Sequence, residues 1–255
     1  MITLDLLNHS SGIRHAFFTR QGGVSRGSFE SLNCGFGSGD ASGTVARNRA
    51  IAMERLGFSP DRLVTCYQVH SNSVITVEKP WPHDAAPRAD GLVAGICGIA
   101  LGILTADCAP ILFEDTAAKV IGAAHGGWRG ALGGIVEATL DRMEALGANR
   151  ARIRAGIGPC IGPGSYEVGP EFRERFLADD PASAAYFAPA PRDRHFMFDL
   201  PGYVEHRLAR AGIANTERAG NDTVAEETLF FSYRRAHLRG EPVYGRLLSA
   251  IGLGD

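Results

Sequence analysis

Residues 99–130 read IALGILTADCAPILFEDTAAKVIGAAHGGWRG, and this stretch decides the fold. Its first part, Ile99 to Phe113, is almost entirely apolar and predicts a buried β-strand. Asp115 to Ala118 is a short loop, and Lys119 to Ala124 predicts a second strand that leads to His125. The stretch therefore predicts two antiparallel strands joined by a tight connection.

The length of this loop sets an expected register. If Glu114 pairs with Lys119 across a four-residue loop, Cys108 lies directly opposite His125. Opposed residues on one face of a strand pair have Cβ atoms roughly 5 Å apart, which is close enough for both to bind one ion. Pro110 leaves a second possibility open, because a proline in a ladder indicates an edge strand or a bulge, and a bulge shifts the register.

The rest of the chain alternates irregularly between helical and strand patterns. Thr44 is suited to cap a helix that ends near Gly57. Three further helices are predicted over Ala131–Leu146, Glu171–Leu177 and Gly202–Ala211. Four further strands are predicted over Arg62–His70, Ser73–Glu78, Ile153–Ile157 and Leu229–Tyr233, with Ser71-Asn72 as a tight connection between the first two. We therefore expect an α/β fold with a mixed sheet, layered as one α+β domain over residues 1–255.

The composition is that of an ordinary globular enzyme of 255 residues. Its 26 Lys plus Arg nearly balance 28 Asp plus Glu, and the net charge is −2. Because nucleic acids and anionic membranes require a clustered basic surface, neither is expected as a partner. The five cysteines contain no Cys-x-x-Cys pair, and the N-terminus lacks the pattern of a signal peptide. Both observations favour a cytoplasmic protein, and the longest uncharged stretch, Gly91 to Ala106, is too short for a membrane span.

Three residues at predicted strand ends or turns are capable of binding a metal ion. His70, Cys108 and His125 supply two imidazoles and a thiolate, a donor set that suits Zn²⁺ with one coordination position open. Spacing alone leaves a structural role open, because buried cysteines often act as small hydrophobes. Asp107 interrupts the apolar run beside Cys108 and needs a partner, so it is a candidate to orient a metal-bound histidine or to transfer a proton; a capped turn is the alternative.

Two glycine-rich segments each carry an arginine. His125-Gly-Gly-Trp-Arg-Gly130 offers backbone N–H groups and Arg129 to an anion, although a bare strand-to-helix turn explains the glycines equally well. Thr19 to Ser25 is a second such loop and contains Arg20. Arg47-Asn48-Arg49 lies on the first predicted helix and forms either a solvated face or a contact to phosphate or ribose. No nucleotide-binding glycine motif occurs in the loop at Thr19 to Ser25.

Several segments, in this order, resemble the purine nucleoside phosphorylase and adenosine deaminase family. This family is also called peptidoglycan editing factor or YfiH-like, and was formerly described as laccase-like multicopper polyphenol oxidases. The matching segments are Thr19-Arg-Gln-Gly-Gly-Val-Ser25, Leu32-Asn33, Val45-Ala-Arg-Asn-Arg49, Gln68-Val-His70, Ala89-Asp-Gly91, Thr105-Ala-Asp-Cys108, His125-Gly-Gly-Trp-Arg-Gly130, Gly156-Ile-Gly-Pro-Cys-Ile161 and Phe230-Phe-Ser-Tyr-Arg-Arg235. The resemblance covers almost the whole chain.

The resemblance implies that His70, Cys108 and His125 bind Zn²⁺. It also implies phosphorolysis of adenosine, inosine and methylthioadenosine to the base and ribose 1-phosphate, and deamination of adenosine to inosine. A three-ligand zinc site activates a water molecule for such a deamination, with Asp107 as a candidate proton shuttle. The expected catalytic residues are thus Cys108, Asp107 and His125, and the expected partners are purine nucleosides and phosphate.

Phosphorolysis also requires a phosphate held by arginines and backbone N–H groups. Arg20, Arg47 and Arg129 are the candidates for phosphate binding, and Asn33 is a further candidate for substrate binding. One departure from the family pattern concerns Asp222-Thr223, where relatives usually have Cys-Thr, so a role for that cysteine is in doubt here. The scattered histidines also lack the paired His-x-His pattern of a multi-copper site.

Two rival interpretations come from other classes of protein. In the first, Cys108 is a nucleophile with His125 as its base, acting on an amide of a peptidoglycan precursor. In the second, the chain is a non-enzymatic binding protein that a structural zinc stabilises. The oligomeric state and the preferred nucleoside stay open at this stage.

Overall fold

The computed structural model describes residues 1–8 and 12–254, and its regular elements fall in three sheets and seven helices within those ranges. The strands are β1 Ile13–Phe17, β2 Leu63–Thr65, β3 Val74–Thr76, β4 Gly91–Ala94, β5 Ile99–Thr105, β6 Ala109–Asp115, β7 Val120–Gly126, β8 Arg154–Ile157, β9 Glu167–Val168, β10 Phe187–Pro189, β11 Phe196–Phe198, β12 Asn215–Arg218 and β13 Leu247–Leu253. The helices are α1 Asp5–Asn8, α2 Ser42–Leu56, α3 Trp128–Leu132, α4 Ile135–Ala145, α5 Pro170–Asp179, α6 Leu200–Arg210 and α7 Tyr233–Leu238.

The largest sheet has six strands in the order β12-β8-β6-β7-β4-β3. Its two outer pairs, β12 with β8 and β3 with β4, are parallel, and its central pairs are antiparallel. A second sheet has the order β1-β13-β5-β2, and a small third sheet has the order β10-β11-β9. The fold is therefore a mixed α/β domain with mixed sheets, as the sequence predicts.

The two larger sheets pack face to face because the strands alternate their side chains between two apolar faces. Leu112 of β6 and Leu101 of β5 lie in one buried cluster between the sheets. The neighbouring residues Phe113 and Ala100 point the opposite way, Phe113 toward α4 and α6 and Ala100 toward α2. Because successive side chains point to opposite faces of a sheet, both sheets are covered on two sides. The fold thus has four layers: helix α2, the four-stranded sheet, the six-stranded sheet, and helices α4 and α6.

The apolar run at the start of residues 99–130 is two strands rather than one. It was expected to form a single strand from Ile99 to Phe113, but β5 belongs to the four-stranded sheet and β6 to the six-stranded sheet. The break lies at Asp107, whose φ of 89° turns the chain from one layer to the other. The residues that separate the two strands therefore end up at an edge between layers, where side chains are available for function.

The expected register of the hairpin is wrong by two positions. Glu114 pairs with Ile121 rather than Lys119, and His125 pairs with Pro110, so Cys108 lies just beyond the ladder. The loop comprises residues 116–119, because the Asp115 carboxylate accepts a hydrogen bond from the Ala118 amide at 3.1 Å and holds the turn. At the loop end β6 therefore extends two residues beyond the predicted Phe113, whereas β7 begins one residue later than the predicted Lys119.

Other predicted elements exist but differ in extent. The helix expected over Ala131–Leu146 is interrupted by a glycine pair, and Gly134 has φ of 90° between α3 and α4. The strands expected over Arg62–His70 and Ser73–Glu78 shrink to β2 and β3, which lie in different sheets, so Ser71-Asn72 is not a hairpin turn. The strand predicted over Leu229–Tyr233 is wrong: Ser232 caps helix α7 there by accepting from the Arg235 amide.

The remaining helices and the strand near Ile153 are confirmed within a few residues. Helix α2 begins two residues before Thr44 and ends at Gly57, whose φ is 82°. β8, α5 and α6 occupy the predicted positions. Among the described helices, none has the length and apolar composition that crossing a membrane requires.

Candidate metal centre and substrate cavity

His70, Cys108 and His125 come together at the edge where strands of the two larger sheets end. His70 lies in the loop between β2 and β3 with φ of 61°, Cys108 immediately precedes β6, and His125 is in β7. One potential ligand atom from each residue lies within 4.8 Å of the other two. The expected triad is therefore assembled, although the two-residue shift of the hairpin register means that strand opposition is not the reason.

Asp90 organises this centre, and sequence reasoning assigned it no role. Its carboxylate is fully buried and accepts hydrogen bonds from the amides of Val69, His70 and Ser71, at 2.7–3.2 Å. One of its oxygens also lies 2.8 Å from His125 Nδ1. Because an acceptor at that distance fixes the proton on Nδ1, His125 presents Nε2 to the centre. The sequence signals were a polar residue between Ala89 and Gly91 and the place of this segment among those that resemble the family, and neither indicated its role.

The charges at the centre reinforce one another. Burial alone raises the pKa of the Cys108 thiol, but the imidazoles of His125 and His70 outweigh it and lower this pKa to about 6. Burial likewise opposes the charge of His125, whose pKa is raised because the Cys108 thiolate and the Asp90 carboxylate are adjacent. Hydrogen bonds from His125 and Ser71 hold the pKa of Asp90 well below its usual range against the opposing effect of burial. A thiolate is therefore the favoured form of Cys108, and a thiolate is the form that binds metal.

Gly127 makes room for the three ligands. A Cβ atom at this position would lie 2.9 Å from His70 Cδ2 and 3.0 Å from Cys108 Sγ. Its φ of −66° is accessible to any residue, so the space, and not the backbone conformation, requires glycine. The sequence Gly126-Gly127 was interpreted as a strand-to-helix turn, and its second glycine also packs directly against the metal-capable cluster.

The donor set fits a zinc ion. Two imidazoles and a thiolate are ligands of the type and number found in catalytic zinc sites, which leave one position open. His125 is buried, Cys108 is partly exposed and His70 is exposed, so the open side faces the cavity. The donor chemistry supports a metal ion here, and zinc is the proposed identity.

Asp107 has a different environment from the one expected of a residue that orients a histidine. One carboxylate oxygen accepts from the Thr223 hydroxyl at 2.7 Å, and the other accepts from the Arg234 amide at 2.6 Å. Burial raises its pKa in spite of these hydrogen bonds. Asp107 thus ties the turn before Cys108 to the C-terminal part of the chain, and the histidine-orienting role belongs to Asp90.

A cavity of about 880 Å³ adjoins the three ligands. Its aromatic lining residues are Phe36, Tyr67, Trp128, Tyr166, Tyr233 and Tyr244, and four arginines, Arg49, Arg129, Arg234 and Arg246, also line it. Within residues 1–8 and 12–254, none of these four arginines forms an ion pair with a carboxylate, and Asp107 is the one carboxylate among the lining residues. The cavity therefore combines aromatic faces with excess positive charge, which suits an aromatic, anionic or phosphate-bearing ligand.

Of the four residues expected to bind substrate, only Arg129 lines the cavity, where its guanidinium lies 4.9 Å from the Trp128 ring centroid. Arg20 donates to the carbonyls of Glu30 and Glu227. The buried Asn33 amide holds a loop by donating to Ser38 and Asp40.

Arg47 is exposed and lies 4.0 Å from Glu54. Its neighbour on the same helix, Arg49, reaches the cavity instead, together with Arg234 and Arg246. The sequence drew attention to Arg47-Asn48-Arg49 but could not decide which arginine faces inward, and no motif marked Arg246.

Asp222 occupies the position at which the family resemblance implies a cysteine, and its contacts are structural. Its carboxylate accepts from the Ser165 hydroxyl at 2.6 Å and from the Val224 amide at 2.9 Å. It does not line the cavity, and the metal-capable cluster found among the described residues consists of His70, Cys108 and His125 alone. The substitution therefore leaves the three-ligand centre intact.

Similarity to known proteins extends over nearly the whole chain. The family model described as multi-copper polyphenol oxidoreductase laccase matches residues 14–254. The purine nucleoside phosphorylase SCO2081 of Streptomyces coelicolor is 38% identical over 234 residues, which cover 90% of this chain and 93% of that protein. The purine nucleoside phosphorylase YfiH of Escherichia coli is 35% identical over 244 residues, which cover 95% and 94% of the two chains.

Solved structures agree with these matches. The Neisseria meningitidis protein NMB0706 superposes with a TM-score of 0.86 at 32% identity, covering 96% of each chain. The Bacillus licheniformis protein YfiH superposes with a TM-score of 0.87 at 31% identity, covering 94% of this chain and 92% of that one. The chain therefore belongs to the YfiH-like family, the family whose model is described as multi-copper polyphenol oxidoreductase laccase.

Proposed function

We propose that this protein is a zinc-dependent purine nucleoside phosphorylase that also deaminates adenosine to inosine. Its proposed substrates are adenosine, inosine and methylthioadenosine, together with phosphate. The observation that carries the proposal is the His70–Cys108–His125 cluster on the wall of a cavity that is both aromatic and cationic. The names of its relatives, which are purine nucleoside phosphorylases, support the same reaction class.

His70, Cys108 and His125 are the residues that would hold the metal ion. When bound, a zinc ion with three protein ligands supplies Lewis acidity and an activated water molecule. Asp90 keeps the His125 ring in one tautomer and fixes the His70 loop, so both imidazoles keep their orientation toward the same point. Asp107 is our candidate for proton transfer, because it is the carboxylate at the cavity wall and burial raises its pKa.

The proposed substrates match the cavity wall. A purine ring stacks favourably on aromatic faces, which Trp128 and Tyr166 offer near the cluster. Phosphate and the phosphorylated sugar product require cationic hydrogen-bond donors, and the cavity offers four arginines that pair with no carboxylate of the described residues. A single three-ligand cluster also argues against multi-copper oxidase chemistry, which needs several metal centres, in the part of the chain that the structure describes.

The test is chromatography of adenosine reactions with and without phosphate, using native and chelator-treated protein. We expect adenine to form only with phosphate, inosine to form in either buffer, and both activities to disappear on chelation and return with Zn²⁺. Metal analysis of the native protein should find about one zinc per chain. Zinc-containing protein that forms neither product would contradict the proposal.

A second candidate, a cysteine hydrolase, has support from one specific observation. Asp90, His125 and Cys108 lie in series: the Asp90 carboxylate is 2.8 Å from His125 Nδ1, and a ring nitrogen of His125 lies within 4.8 Å of the Cys108 thiol. This is the arrangement of a nucleophile, a base and an orienting acid, and an amide of a peptidoglycan precursor is the proposed substrate. Chelation separates the two candidates, because a thiol enzyme keeps its activity in chelator.

Alkylation of the cysteine hydrolase provides the complementary test. Iodoacetamide should abolish its activity in wild-type protein and equally in a Cys97→Ser variant, since Cys97 is exposed and does not line the cavity. Activity on the amide that is lost in chelator, or retained after alkylation of Cys108, would eliminate this candidate.

A further inference from the structure

Arg49 of helix α2 and Arg246, which directly precedes β13, both hydrogen-bond to the loop at Asn33-Cys34 and line the cavity wall. Arg49 Nε donates to the Cys34 carbonyl at 2.8 Å, and the Cys34 amide donates to the Arg246 carbonyl at 3.0 Å. Asn33 Oδ1 accepts from the Arg246 amide at 2.9 Å, so the loop binds the backbone of one arginine and the side chain of the other. Both arginines line the cavity.

Arg49 is a buried cation that lacks a counter-ion within the described ranges. Its exposed fraction is 9%, and its Nε and Nη1 donate to the Cys34 carbonyl and the Thr65 hydroxyl, both neutral. Its Nη2 has no hydrogen-bond acceptor among the described residues, and the guanidinium lies over the Phe36 ring at 4.5 Å. Burial lowers the pKa of Arg49 to about 10. Burying a guanidinium group without a counter-ion costs free energy, and a bound anion would offset this cost.

Arg246 is also available for an anion. Its Nη1 donates to the carbonyls of Tyr244 and Gly245 at 3.2 Å, and its guanidinium lies 3.8 Å from the Tyr244 ring centroid. These contacts hold the planar group in place, and no carboxylate of the described residues pairs with it. A guanidinium fixed in this way is well suited to bidentate binding of an oxyanion.

The first turn of helix α2 also contributes to the cavity wall. Ser42 lines the cavity, and the N-cap residue Ala41 provides no side-chain hydrogen bond to the helix. The first amides of a helix have no intrahelical partners, and the helix dipole favours an anion beside them. The nearby Asp40 carboxylate is already engaged, because it accepts from the Ala41 amide and from the side chains of Ser25 and Asn33.

We propose that Arg49, Arg246 and the first turn of α2 form a subsite for a phosphate group. The inference rests on the proposed function when the ligand is inorganic phosphate, which is then the attacking co-substrate. In that reaction a phosphate oxygen forms a bond to ribose C1′ while the C1′–N9 bond breaks, and the purine leaves with the bonding electrons and takes up a proton. The same subsite would accept the 5′-phosphate of a nucleotide.

The experiment is isothermal titration of the zinc-loaded full chain with inorganic phosphate and, separately, with AMP and adenosine. The variants are Arg49→Gln and Arg246→Gln. The matched control is Arg47→Gln, which removes an exposed arginine of the same helix. We expect both cavity variants to weaken phosphate binding by at least about tenfold, because each removes a charge-assisted contact, and the control to match wild type.

The AMP arm distinguishes the two sources of the phosphate group. If the cavity variants lose binding of inorganic phosphate while AMP and adenosine bind with equal affinity, the subsite holds the co-substrate phosphate. If wild-type protein binds AMP more tightly than adenosine and Arg246→Gln does not, the subsite holds the 5′-phosphate of a nucleotide. Unchanged affinities for both phosphate and AMP in Arg246→Gln would overturn the subsite. Arg246→Gln decides the outcome if Arg49→Gln fails to fold, since Arg246 is less buried.

Binding and turnover separate this inference from the proposed function. Wild-type protein that binds phosphate through these arginines, yet releases no adenine, would refute phosphorolysis and leave the subsite standing. Protein that phosphorolyses adenosine with the same phosphate KM in wild type and both cavity variants would refute the subsite and leave phosphorolysis standing.

Discussion

Asp90 joins the backbone of the His70 loop to the ring of His125 through a single buried carboxylate. An Asp90→Asn variant keeps the shape but replaces one acceptor oxygen by an NH2 group, which faces backbone donors. We therefore expect metal affinity to fall by about 10–100-fold, the range found when partners of metal ligands are removed. Competition with a chromogenic chelator measures it, and the exposed Asp61→Asn is the matched control. Equal zinc affinity in Asp90→Asn and wild type would contradict the role given to Asp90.

Gly127 supports a second prediction about single residues. In Gly127→Ala the new methyl group would lie 2.9 Å from His70 Cδ2 and 3.0 Å from Cys108 Sγ, which is closer than van der Waals contact, so both side chains must move. We expect zinc affinity to fall by about tenfold and the free energy of unfolding to fall by about 1–3 kcal/mol. Gly164→Ala is the control, because its Cβ meets no atom within 4 Å. A Gly127→Ala protein with wild-type zinc affinity would show that the cluster is not held tightly.

The candidate metal-binding residues could be picked out from the sequence, whereas the residues that support them could not. His70, Cys108 and His125 are of residue types that bind metals, and the family resemblance pointed to the same three. Asp90 and Gly127 act only through what they touch, and their contacts depend on loops that approach from distant parts of the chain. Their roles follow from three-dimensional proximity, which residue type and spacing do not encode.

The split of residues 99–113 shows why the positions of elements were harder to predict than their types. β5 and β6 are both apolar over most of their length because each is covered on two faces, so periodicity cannot mark the boundary between them. The one visible signal, Asp107, was interpreted as a functional interruption of a single strand. The Asp115 side chain similarly set the hairpin register through a turn contact that pairing arithmetic does not include.

The packing of helix α1 on strand β1 supports a prediction about pH. His15 of β1 is buried and its Nε2 accepts a hydrogen bond from the Leu4 amide at 2.9 Å, just before α1. Burial lowers its pKa from 6.5 to about 4, although Glu217 partly opposes this effect. Between these values the unfolded state binds more protons than the folded state. The free energy of unfolding therefore falls as the pH falls from about 6.5 to about 4, by about 2–3 kcal/mol from this residue.

Urea unfolding at pH 7.5 and pH 5 measures this effect. The comparison is with His15→Gln, which has no proton to bind in this range but keeps an acceptor for the Leu4 amide. The pH-dependent loss of stability should be smaller in the variant, and the difference between the two proteins isolates His15 from other titrating groups. Parallel losses in wild type and variant would rule out His15 as the cause.

The arrangement of the whole molecule explains where the cavity lies and why its charge was not foreseen. The mixed α/β class was predicted from the strand and helix patterns, but the number and order of the layers were not. The four cavity arginines come from three different helices, α2, α3 and α7, and from the segment just before β13. They share no local motif, and only packing of the layers brings them to one wall. The predicted arginines Arg20 and Arg47 failed to reach it because one is bound to backbone carbonyls and the other lies on an exposed helix face.

The candidate metal centre brings distant segments together, which gives a prediction for the molecule as a whole. Its ligands come from the loop before β3, from the turn before β6 and from β7, which connect both larger sheets. Because the metal binds these segments only when they are assembled, its binding free energy adds to the stability of the fold. We expect chelation to lower the melting temperature of wild-type protein by about 5–10 °C, which corresponds to a loss of about 2–3 kcal/mol in the free energy of unfolding for a chain of this size.

Differential scanning calorimetry measures this shift, with Cys108→Ser as the comparison. Since the variant lacks the thiolate, the chelator should lower its melting temperature much less, and an equal shift in both proteins would place the stabilising metal somewhere other than at Cys108.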